Sequence, residues 1–391
     1  MKMPSALSEK RLFRKKSSQT KSQITTISKL VSRSGASSPV EPIQRPSEEK
    51  TAVGDSSSSD ILRNDHSPSP KYDEILLDDS AVLAPCEYIR SLPSKNVRAT
   101  VIQACNLWFQ LSEIYTTTVV DIISDLHNAS LILDDIQDDT VLRRGSPAAH
   151  CVYGNAQAIN SALYMAFNNC ARLGQLKLTD PAAMNALVNG TIELSIGQSW
   201  DLKWKAQLHC PSVGEYMAMV DGKTGAMLKL IIHLMHSMSD QRQMDNFMPL
   251  FDRLVVLLGR FYQVRDDYQN LQDDTYSEQK GFCEDLDEGK ISYPVIVCCN
   301  ADPAAKDIIL GIFREKRDPG VNPLPKSAKV FMLQVIDRSG AFESTWNMLQ
   351  TLGKDTWDAL LALEVATGKA SPALQQMIKM LINTIQPPKR W

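Results

Sequence analysis

An acidic cluster at the end of an apolar run is the first feature that could do chemistry. Segment 131-LILDDIQDDTVLRRG-145 places four aspartates within six positions, directly after leucine and isoleucine. At about 100° per residue, a helix points His127, Asp134 and Asp138 within about 20° of one direction and Asp135 about 80° away. Like charges one turn apart destabilise a helix modestly, so we expect another interaction to offset their repulsion.

Two interpretations of this cluster are open. In the first it is an acidic helix end, solvated or paired with Arg143 and Arg144, which follow it in the chain. In the second it is a site for Mg²⁺, a hard cation that commonly bridges one or two carboxylates to substrate phosphates. The two arginines would then donate to phosphate oxygens rather than to the aspartates, because a guanidinium fork matches phosphate geometry.

A second acidic cluster favours the metal site. Segment 263-QVRDDYQN-270 also ends an apolar helical pattern, and Lys280 and Lys290 follow it. Four of its side chains share an arc of about 100° on a helix, namely Gln263, Asp266, Asp267 and Asn270. Facing each other across a helical cavity, the two clusters would hold magnesium ions between them. The metal and the basic side chains would then neutralise a diphosphate.

Composition narrows the class of protein. The chain has 391 residues, of which 43% are hydrophobic and 22% charged, and its net charge is −3. Residues 1–33 carry nine Lys or Arg and one Glu, which leaves a balance of −11 on the rest and argues against nucleic-acid binding. The eight cysteines form no CxxC pair and no zinc pattern with histidine, so we expect reduced core thiols in an intracellular protein. No apolar run reaches the roughly 20 residues of a transmembrane helix, and we expect a cytoplasmic protein.

The chain divides near residue 80. Residues 1–80 are rich in serine, with 17 before position 70, and too poor in apolar residues to offset the entropy of ordering. We predict that they are disordered, and their basic start is open to interpretation as a solvated tail, an organelle-targeting signal or a membrane-surface patch. Residues 81–391 show apolar spacing of helical period, interrupted by Pro- and Gly-containing breakers, and predict one all-α domain with long helices. Examples of this spacing are 101–115, 119–133 and 251–271.

Six segments, in family order, resemble the trans-isoprenyl diphosphate synthases, and most closely the fungal geranylgeranyl diphosphate synthases. They are 92-LPSKNVR-98, 126-LHNASLILDDIQDDTVLRRGSPAAH-150, 193-ELSIGQSWDLKW-204, 222-GKTGAM-227, 262-YQVRDDYQN-270 and 280-KGFCEDLDEGKISYP-294. The resemblance spans roughly residues 85–385. It implies an isoprenoid synthase helical bundle around a central cavity, paired as a homodimer or a larger assembly.

The reaction implied by the resemblance is head-to-tail chain elongation. An allylic diphosphate ionises with metal assistance, the double bond of isopentenyl diphosphate attacks the cation, and a proton is then lost. The released diphosphate is generally taken as the base in this family, so no catalytic His or Glu is required.

The resemblance also implies roles for individual residues. Three Mg²⁺ ions per active site would stabilise the leaving-group charge, held by Asp134, Asp138 and Asp266. The allylic diphosphate would be bound by Arg143, Lys223, Thr224, Gln263, Asn270, Lys280 and Lys290. The isopentenyl diphosphate site corresponds to Lys95, Arg98, His127 and Arg144. We expect Asp135 and Asp267 to orient the ligands or to bind through water, and Asp139 to lie at the surface or behind the ligands.

Product length depends on the depth of the pocket. A bulky side chain one turn before the first aspartates would close the cavity, but Ala129 and Ser130 stand there. We therefore expect geranylgeranyl diphosphate rather than the shorter farnesyl product. Other walls that could stop growth are Tyr164, Phe167 and Ile196.

Two departures and two rival functions accompany the resemblance. Lys95 follows Pro-Ser where the family has glycine, and the second motif ends in Asn270 instead of aspartate. A class I terpene cyclase would need an NxxxSxxxE site, whereas 270-NLQDDTYSE-278 has aspartate in the serine position. A non-catalytic regulatory subunit would lose metal carboxylates that are kept here. We expect a freestanding enzyme whose product could enter either a diterpenoid pathway or general prenylation.

Overall fold

Amphipathic helices make up almost all of the chain that the structure describes. The structure is a computed structural model, and it describes residues 77–94, 97–176, 178, 180–273, 282–315 and 323–391. These residues belong to one compact unit. The predicted disorder of residues 1–80 falls on positions that, up to residue 76, lie outside the described residues.

The first half of the fold runs from α1 to α6. Its helices are α1 Ser80–Ser91, α2 Val97–Phe109, α3 Glu113–Gln137, α4 Ala149–Tyr153, α5 Asn155–Gln175 and α6 Ala182–Gln207. Between α3 and α4 lies a two-stranded antiparallel hairpin, β1 Leu142–Arg143 and β2 Ser146–Pro147.

The second half of the fold continues in the same way. It comprises α7 Val213–Val220, a π-helical turn Asp221–Gly225, α8 Ala226–Ser237, a 3-10 turn Arg242–Phe247, α9 Met248–Gln272, α10 Glu284–Glu288, α11 Tyr293–Ala301, α12 Pro303–Glu315, α13 Lys326–Arg338, α14 Ala341–Thr367 and α15 Pro372–Asn383. The prediction of an all-α helical bundle is confirmed.

The two long helices that carry the acidic clusters bury one face each. On α3 the buried side chains recur every three or four residues, at Val119, Ile122, Leu126, Ala129 and Ile132. This is the spacing that lines up one helical face. That face packs against α5 and α2, and α9 packs its own apolar face against α14 and the π-helical turn. Because both helices are fixed along their length, the positions of their acidic ends are fixed as well.

The periodic segment 101–115 is not one helix. α2 ends at Phe109, Gln110 has a positive φ of 52°, and α3 begins at Glu113. The Asn106 side chain explains the break, because its Oδ1 accepts a hydrogen bond from the backbone N–H of Leu111 at 2.7 Å. This side chain replaces a helical backbone partner and stabilises the turn.

The hairpin after α3 determines where the two arginines point. Its two central residues, Arg144 and Gly145, have φ values of 55° and 79°. Positive φ at both central positions is typical of the type I′ turn that two-residue hairpins favour. Arg143 and Arg144 are therefore directed differently, although they are adjacent in sequence.

All eight cysteines are free thiols, as predicted, and six of them are buried, whereas Cys151 is exposed and Cys170 is partly exposed. Within the described ranges, no helix has the length and apolar composition to cross a membrane.

Candidate active site

A cavity of about 960 Å³ lies where the ends of α3 and α9 approach α6 and the π-helical turn. Asp134 near the end of α3, Asp138 directly after that helix and Asp266 on α9 all line it. The two acidic clusters therefore face the same space. The predicted site residues on its walls are Arg98, His127, Asp134, Asp138, Arg143, Lys223, Thr224, Gln263, Asp266 and Lys290.

Four predicted site residues are not among those walls. Lys95 and Lys280 lie outside the described residues, so their roles stay predictions. Asn270 is buried behind the cavity, where its Oδ1 accepts from the backbone N–H of Asp285 at 3.2 Å. Arg144 lies on the hairpin and donates to the backbone carbonyl of Leu92 at 3.4 Å. For Arg144 and Asn270 the roles in diphosphate binding stay predictions as well.

Arg143 pairs with an aspartate, as in the first interpretation of the cluster, and its donation to phosphate stays a prediction. Its Nε donates to Asp135 Oδ1 at 2.8 Å, and its Nη2 donates to the same oxygen. Asp135 is fully buried, and burial raises the pKa of this carboxyl although Arg143 opposes the shift. The pairing follows from helical geometry, since Asp135 points away from the Asp134–Asp138 face. Arg143 still lines the cavity, with Nη2 3.9 Å from Asp134 Oδ2.

One face of α6 contributes three side chains that the sequence analysis did not assign. Gln198 Nε2 donates to Asp134 Oδ1 at 3.1 Å, and Lys205 Nζ donates to Asp138 Oδ1 at 2.6 Å. Between them, Asp201 accepts from Lys223 Nζ at 2.5 Å. The signal was present in the segment 193-ELSIGQSWDLKW-204 and the residue after it, because positions i, i+3 and i+7 share a helical face.

Asp134 and Asp138, the two aspartates of the first cluster that line the cavity, have pKa values shifted in opposite directions. Burial acts against ionisation of Asp134, but Lys223 and Arg143 outweigh it and lower the pKa of its carboxyl. For Asp138, burial and the neighbouring charge of Asp134 raise the pKa, and Lys205 only partly offsets them. A carboxylate that is destabilised in this way favours the approach of further positive charge.

A π-helical turn presents Lys223 and Thr224 to the cavity. Such turns insert one residue into a helix and are frequent at functional sites. Arg260 on α9 fixes the turn through two bonds to Asp221, at 2.7 and 2.6 Å. The backbone of α6 also approaches the turn closely, and a Cβ atom at Gly197 would lie 2.2 Å from Lys223 N.

The second cluster is a hydrogen-bonded network centred on Asp267. This fully buried carboxylate accepts from Tyr216 Oη at 2.6 Å, Tyr293 N at 2.8 Å, Lys290 Nζ at 2.9 Å and Gln263 Nε2 at 3.0 Å. With four donors its oxygens are satisfied, and it orients its neighbours rather than facing the cavity. This arrangement is consistent with the predicted supporting role of Asp267.

The network extends from Asp267 to the π-helical turn and to α10. Gln263 Oε1 accepts from Thr224 Oγ1 at 2.7 Å, which joins α9 to the turn. Lys290 also donates to Asp285 Oδ2 at 3.1 Å. Burial acts to lower the pKa of Lys290, but Asp267 and Asp285 outweigh it and raise the pKa well above its ordinary value. Lys290 therefore keeps its positive charge inside the cavity.

A further acidic side chain, Glu288 at the end of α10, lines the cavity and was not assigned from sequence. Burial raises its pKa well above the ordinary value, and the charges of Asp285 and Asp138 add to the effect. The helix that carries it is short, so no apolar period marked its position.

Around His127 the cavity is electropositive. Burial lowers the pKa of His127 well below its ordinary value, and Arg98, Arg144 and Arg143 lower it further. A neutral imidazole surrounded by guanidinium groups offers a hydrogen-bond donor to an anion without a charge of its own. Arg98, at the start of α2, lines the same wall.

An apolar wall extends from the charged end of the cavity along α3, α5 and α6. Ala129 and Ser130 line it, as do Phe167 and Ile196, whereas Tyr164 is not among the lining residues. Phe167 and Ile196 are 72% and 55% exposed, so this wall is also open to solvent in the single chain. The cavity thus joins a charged end to a long apolar surface, which suits a ligand with an anionic head and a hydrocarbon tail.

The carboxylates of the cavity fit a hard cation that takes its remaining ligands from water or substrate. In the described part of the chain, no group of three or more Asp, Glu, His or Cys is close enough to enclose a metal. Carboxylates nevertheless face the cavity from two sides, from Asp134 and Asp138 on one helix and Asp266 on another. Magnesium is usually held by one or two carboxylates together with waters and substrate phosphates, so this set fits Mg²⁺ without a complete protein cage.

The chain is similar to several known proteins. The family profile described as polyprenyl synthetase matches residues 79–326. The chain is 42% identical over 305 residues to geranylgeranyl pyrophosphate synthase 3 of Zymoseptoria tritici, covering 78% of this chain and 82% of that protein. It is also 41% identical to sesterfisherol synthase of Neosartorya fischeri and 42% identical to fusoxypene synthase of Fusarium oxysporum. Those two matches cover 77% and 81% of this chain but only 39% and 44% of the relatives. The chain therefore spans less than half the length of these two relatives.

Proposed function

Because this chain belongs to the polyprenyl synthetase family, we propose that it joins isopentenyl diphosphate to an allylic diphosphate. The proposed starters are dimethylallyl, geranyl and farnesyl diphosphate, and the proposed product is geranylgeranyl diphosphate. The observation that supports this most is the single cavity whose charged end contains Asp134, Asp138 and Asp266 and whose apolar wall could accept a growing chain.

The basic residues and His127 form two groups, each of which would bind one of the two diphosphates. Lys223 and Lys290, held by Asp201 and Asp267, lie on the side of the aspartates and would bind the allylic diphosphate. Arg98 and the neutral His127 also line the cavity and would bind isopentenyl diphosphate. Each substrate would thus be anchored by its diphosphate while its hydrocarbon part extends into the cavity.

In the proposed step the C1–O bond of the allylic diphosphate breaks, and the π electrons of isopentenyl diphosphate form the new C–C bond at C1. Loss of a proton from the isopentenyl unit then re-forms a double bond, and the released diphosphate accepts that proton. The negative charge that develops on the departing diphosphate would be stabilised by the fixed cations of Lys223 and Lys290.

We propose that Asp134, Asp138 and Asp266 hold the Mg²⁺ ions. When bound, these ions supply positive charge to the departing diphosphate. Gln198, through its bond to Asp134, would orient one of these carboxylates. A carboxylate whose orientation is fixed binds a metal with less loss of entropy.

Product length gives the first experiment. Purified protein is incubated with Mg²⁺, isopentenyl diphosphate and each of the three starters, and the products are identified by mass. We expect geranylgeranyl diphosphate from all three, since Ala129 and Ser130 leave the apolar wall open. Farnesyl diphosphate as the final product, or chains beyond geranylgeranyl, would contradict the proposed length.

A matched pair of substitutions on α3 tests the apolar wall. Ser130→Phe places an aromatic ring in the lining of the cavity and should shorten the product. Ser124→Phe changes an exposed position on the same helix that does not line the cavity, and should leave the product unchanged. Equal product lengths from the two variants would show that the side chain at position 130 does not limit the growing chain.

A second candidate function is cyclisation, because sesterfisherol synthase and fusoxypene synthase are among the relatives. The same incubations distinguish it, since a cyclase releases a hydrocarbon that partitions into hexane. A third outcome, no elongated product and no hydrocarbon, would favour a non-catalytic regulatory subunit.

We propose that a second copy of this chain covers the open part of the apolar wall. Five exposed apolar residues on α5 and α6 also line the cavity, namely Leu163, Phe167, Val188, Ile192 and Ile196. Apolar surface of this kind gains stability when it is removed from water. Light scattering on the purified chain should show a dimer or larger assembly, and a fully active monomer would contradict this proposal.

A further inference from the structure

Lys205 stands out among the cavity cations, because its carboxylate partner is a proposed metal ligand. Its Nζ lies 2.6 Å from Asp138 Oδ1, and both residues line the cavity. The Lys205 side chain is 26% exposed and that of Asp138 14% exposed, so the pair is largely shielded from water. Pairs of this kind are screened less by salt than surface pairs.

The other cations of the first cluster have different principal partners. Arg143 is bonded to Asp135, and Lys223 lies 2.5 Å from Asp201 but 3.6 Å from Asp134. Neither Asp135 nor Asp201 is a proposed metal ligand. Arg143 and Lys223 could therefore keep these bonds if Asp134 bound a metal.

Asp138 cannot bind a metal ion and accept the hydrogen bond from Lys205 through the same oxygen at the same time. Magnesium binds carboxylate oxygens at roughly 2.0–2.1 Å. An ammonium group hydrogen-bonded to the same oxygen would repel the metal strongly. The lysine stem is flexible and its ammonium has three donors, so it can move from one oxygen to another.

We propose that Lys205 occupies Asp138 as a counter-cation until a metal ion and a diphosphate arrive together, and that its ammonium then binds a phosphate oxygen. This inference rests on the proposed function, because it takes Asp138 as a metal ligand. It makes Lys205 a positioning residue that couples metal binding to diphosphate binding. By linkage, such a coupling acts equally on both ligands.

The sequence provides a matched control two residues away. Lys203 lies on the same helix and carries the same charge, but it is exposed and does not line the cavity. Its Nζ is 4.3 Å from the centroid of the Trp200 ring. Lys203→Gln therefore removes one positive charge from α6 without touching the acidic cluster.

The test measures binding in the absence of turnover. Mn²⁺ is titrated into the full chain without diphosphate, and bound and free metal are separated by electron paramagnetic resonance. Losing a charge-assisted bond to Asp138 should let Lys205→Gln bind Mn²⁺ at least about 10-fold tighter than the unsubstituted protein. Lys203→Gln should remain within about twofold of the unsubstituted protein, as expected for a distant surface charge. Lys205→Arg, which keeps the charge, should behave like the unsubstituted protein.

A second titration tests the transfer to phosphate. At saturating Mg²⁺, calorimetry with inorganic pyrophosphate should show binding to Lys205→Gln that is about 10-fold weaker, because one charged donor is lost. Equal Mn²⁺ affinities for Lys205→Gln and Lys203→Gln would overturn the proposal. If Lys205→Gln bound Mn²⁺ more tightly but bound pyrophosphate with unchanged affinity, the proposed move of the Lys205 ammonium to a phosphate oxygen would be wrong. A failure of the unsubstituted protein to bind Mn²⁺ even with inorganic pyrophosphate present would instead contradict the proposed function.

Discussion

Gly197 on α6 and Lys223 in the π-helical turn are in backbone contact, so closely that a Cβ atom at Gly197 would lie 2.2 Å from Lys223 N. Gly259 on α9 approaches the other side of the turn, where its added Cβ would be 2.8 Å from Gly225 Cα. Gly197 and Gly259 thus pack closely against two sides of the segment that presents Lys223 and Thr224 to the cavity. Only residues without a side chain permit this approach.

Gly197→Ala should both destabilise the protein and displace Lys223. An atom inserted at this distance requires a backbone shift, for which we expect a loss of at least about 2 kcal/mol in the free energy of unfolding. Because the shift moves Lys223, the variant should also bind inorganic pyrophosphate more weakly. Urea unfolding and calorimetry measure the two effects.

Gly311→Ala is the control for this substitution. Gly311 lies inside α12, and a Cβ there would meet nothing within 4 Å. Alanine should stabilise this helix by roughly 0.5–1 kcal/mol, the usual gain over glycine. A Gly197→Ala protein that is as stable as Gly311→Ala would show that the π-helical turn is not held by this contact.

Asp134→Asn should remove turnover while preserving the fold. Asparagine has the shape of aspartate but lacks the charge that would bind the metal, and we expect a loss of at least about 100-fold in kcat. Asp139→Asn makes the same change at an exposed residue of the same cluster that does not line the cavity, and should retain activity. If both variants lost activity equally, the assignment of Asp134 as a metal ligand would fail.

Arg98→Gln should separate the two substrates. Arg98 lines the wall that contains His127, so its loss should raise the KM for isopentenyl diphosphate about 10-fold, with a smaller effect on the allylic KM. Lys354→Gln, at an exposed lysine paired with Asp358, is the control and should change neither value. A change of equal size in both KM values would argue against two separate diphosphate sites.

Protonation of His127 should make the fold sensitive to acid. Its pKa is depressed in the folded protein, so the unfolded chain binds the proton more readily than the folded one. The free energy of unfolding should therefore fall as the pH drops through the ordinary histidine value of about 6.5. His127→Gln should lose this part of the pH dependence, measured by urea unfolding between about pH 7.5 and pH 5.

An exposed histidine serves as the control for the pH measurement. His209 lies after α6 and away from the cavity walls. His209→Gln should keep the pH dependence of the unsubstituted protein. Identical pH profiles for His127→Gln and the unsubstituted protein would show that burial and the neighbouring arginines do not lower the pKa of His127.

The parts of the site that the sequence predicted share one property, which is local helical period. His127, Asp134 and Asp138 face one direction because they are separated by whole turns of one helix. The same geometry placed Asp135 off that face, where Arg143 binds it. The spacing of residues along a helix determines the relative directions of their side chains, and the apolar face of the helix determines which side is buried.

The parts that the sequence did not predict depend on contacts between distant elements or on backbone irregularities. Lys205 and Asp138 meet only because α6 packs near the end of α3. Arg144 lies in a turn with positive φ and is not among the residues that line the cavity, and Lys223 is presented by a π-helical turn. Neither irregularity has a period that could be recognised in advance. Asn270 shares the helical arc of Asp266, yet its amide is bonded to the backbone of Asp285.

The central claim is that carboxylates from two helices act, through bound magnesium, on one diphosphate. The most direct measurement is a single-turnover incubation of the purified chain with farnesyl and isopentenyl diphosphate, with Mg²⁺ present or removed by a chelator. We predict one elongated diphosphate with Mg²⁺ and none after chelation, with activity restored when Mg²⁺ is added back. Elongation that persists without divalent cations, or is absent in their presence, would contradict the account.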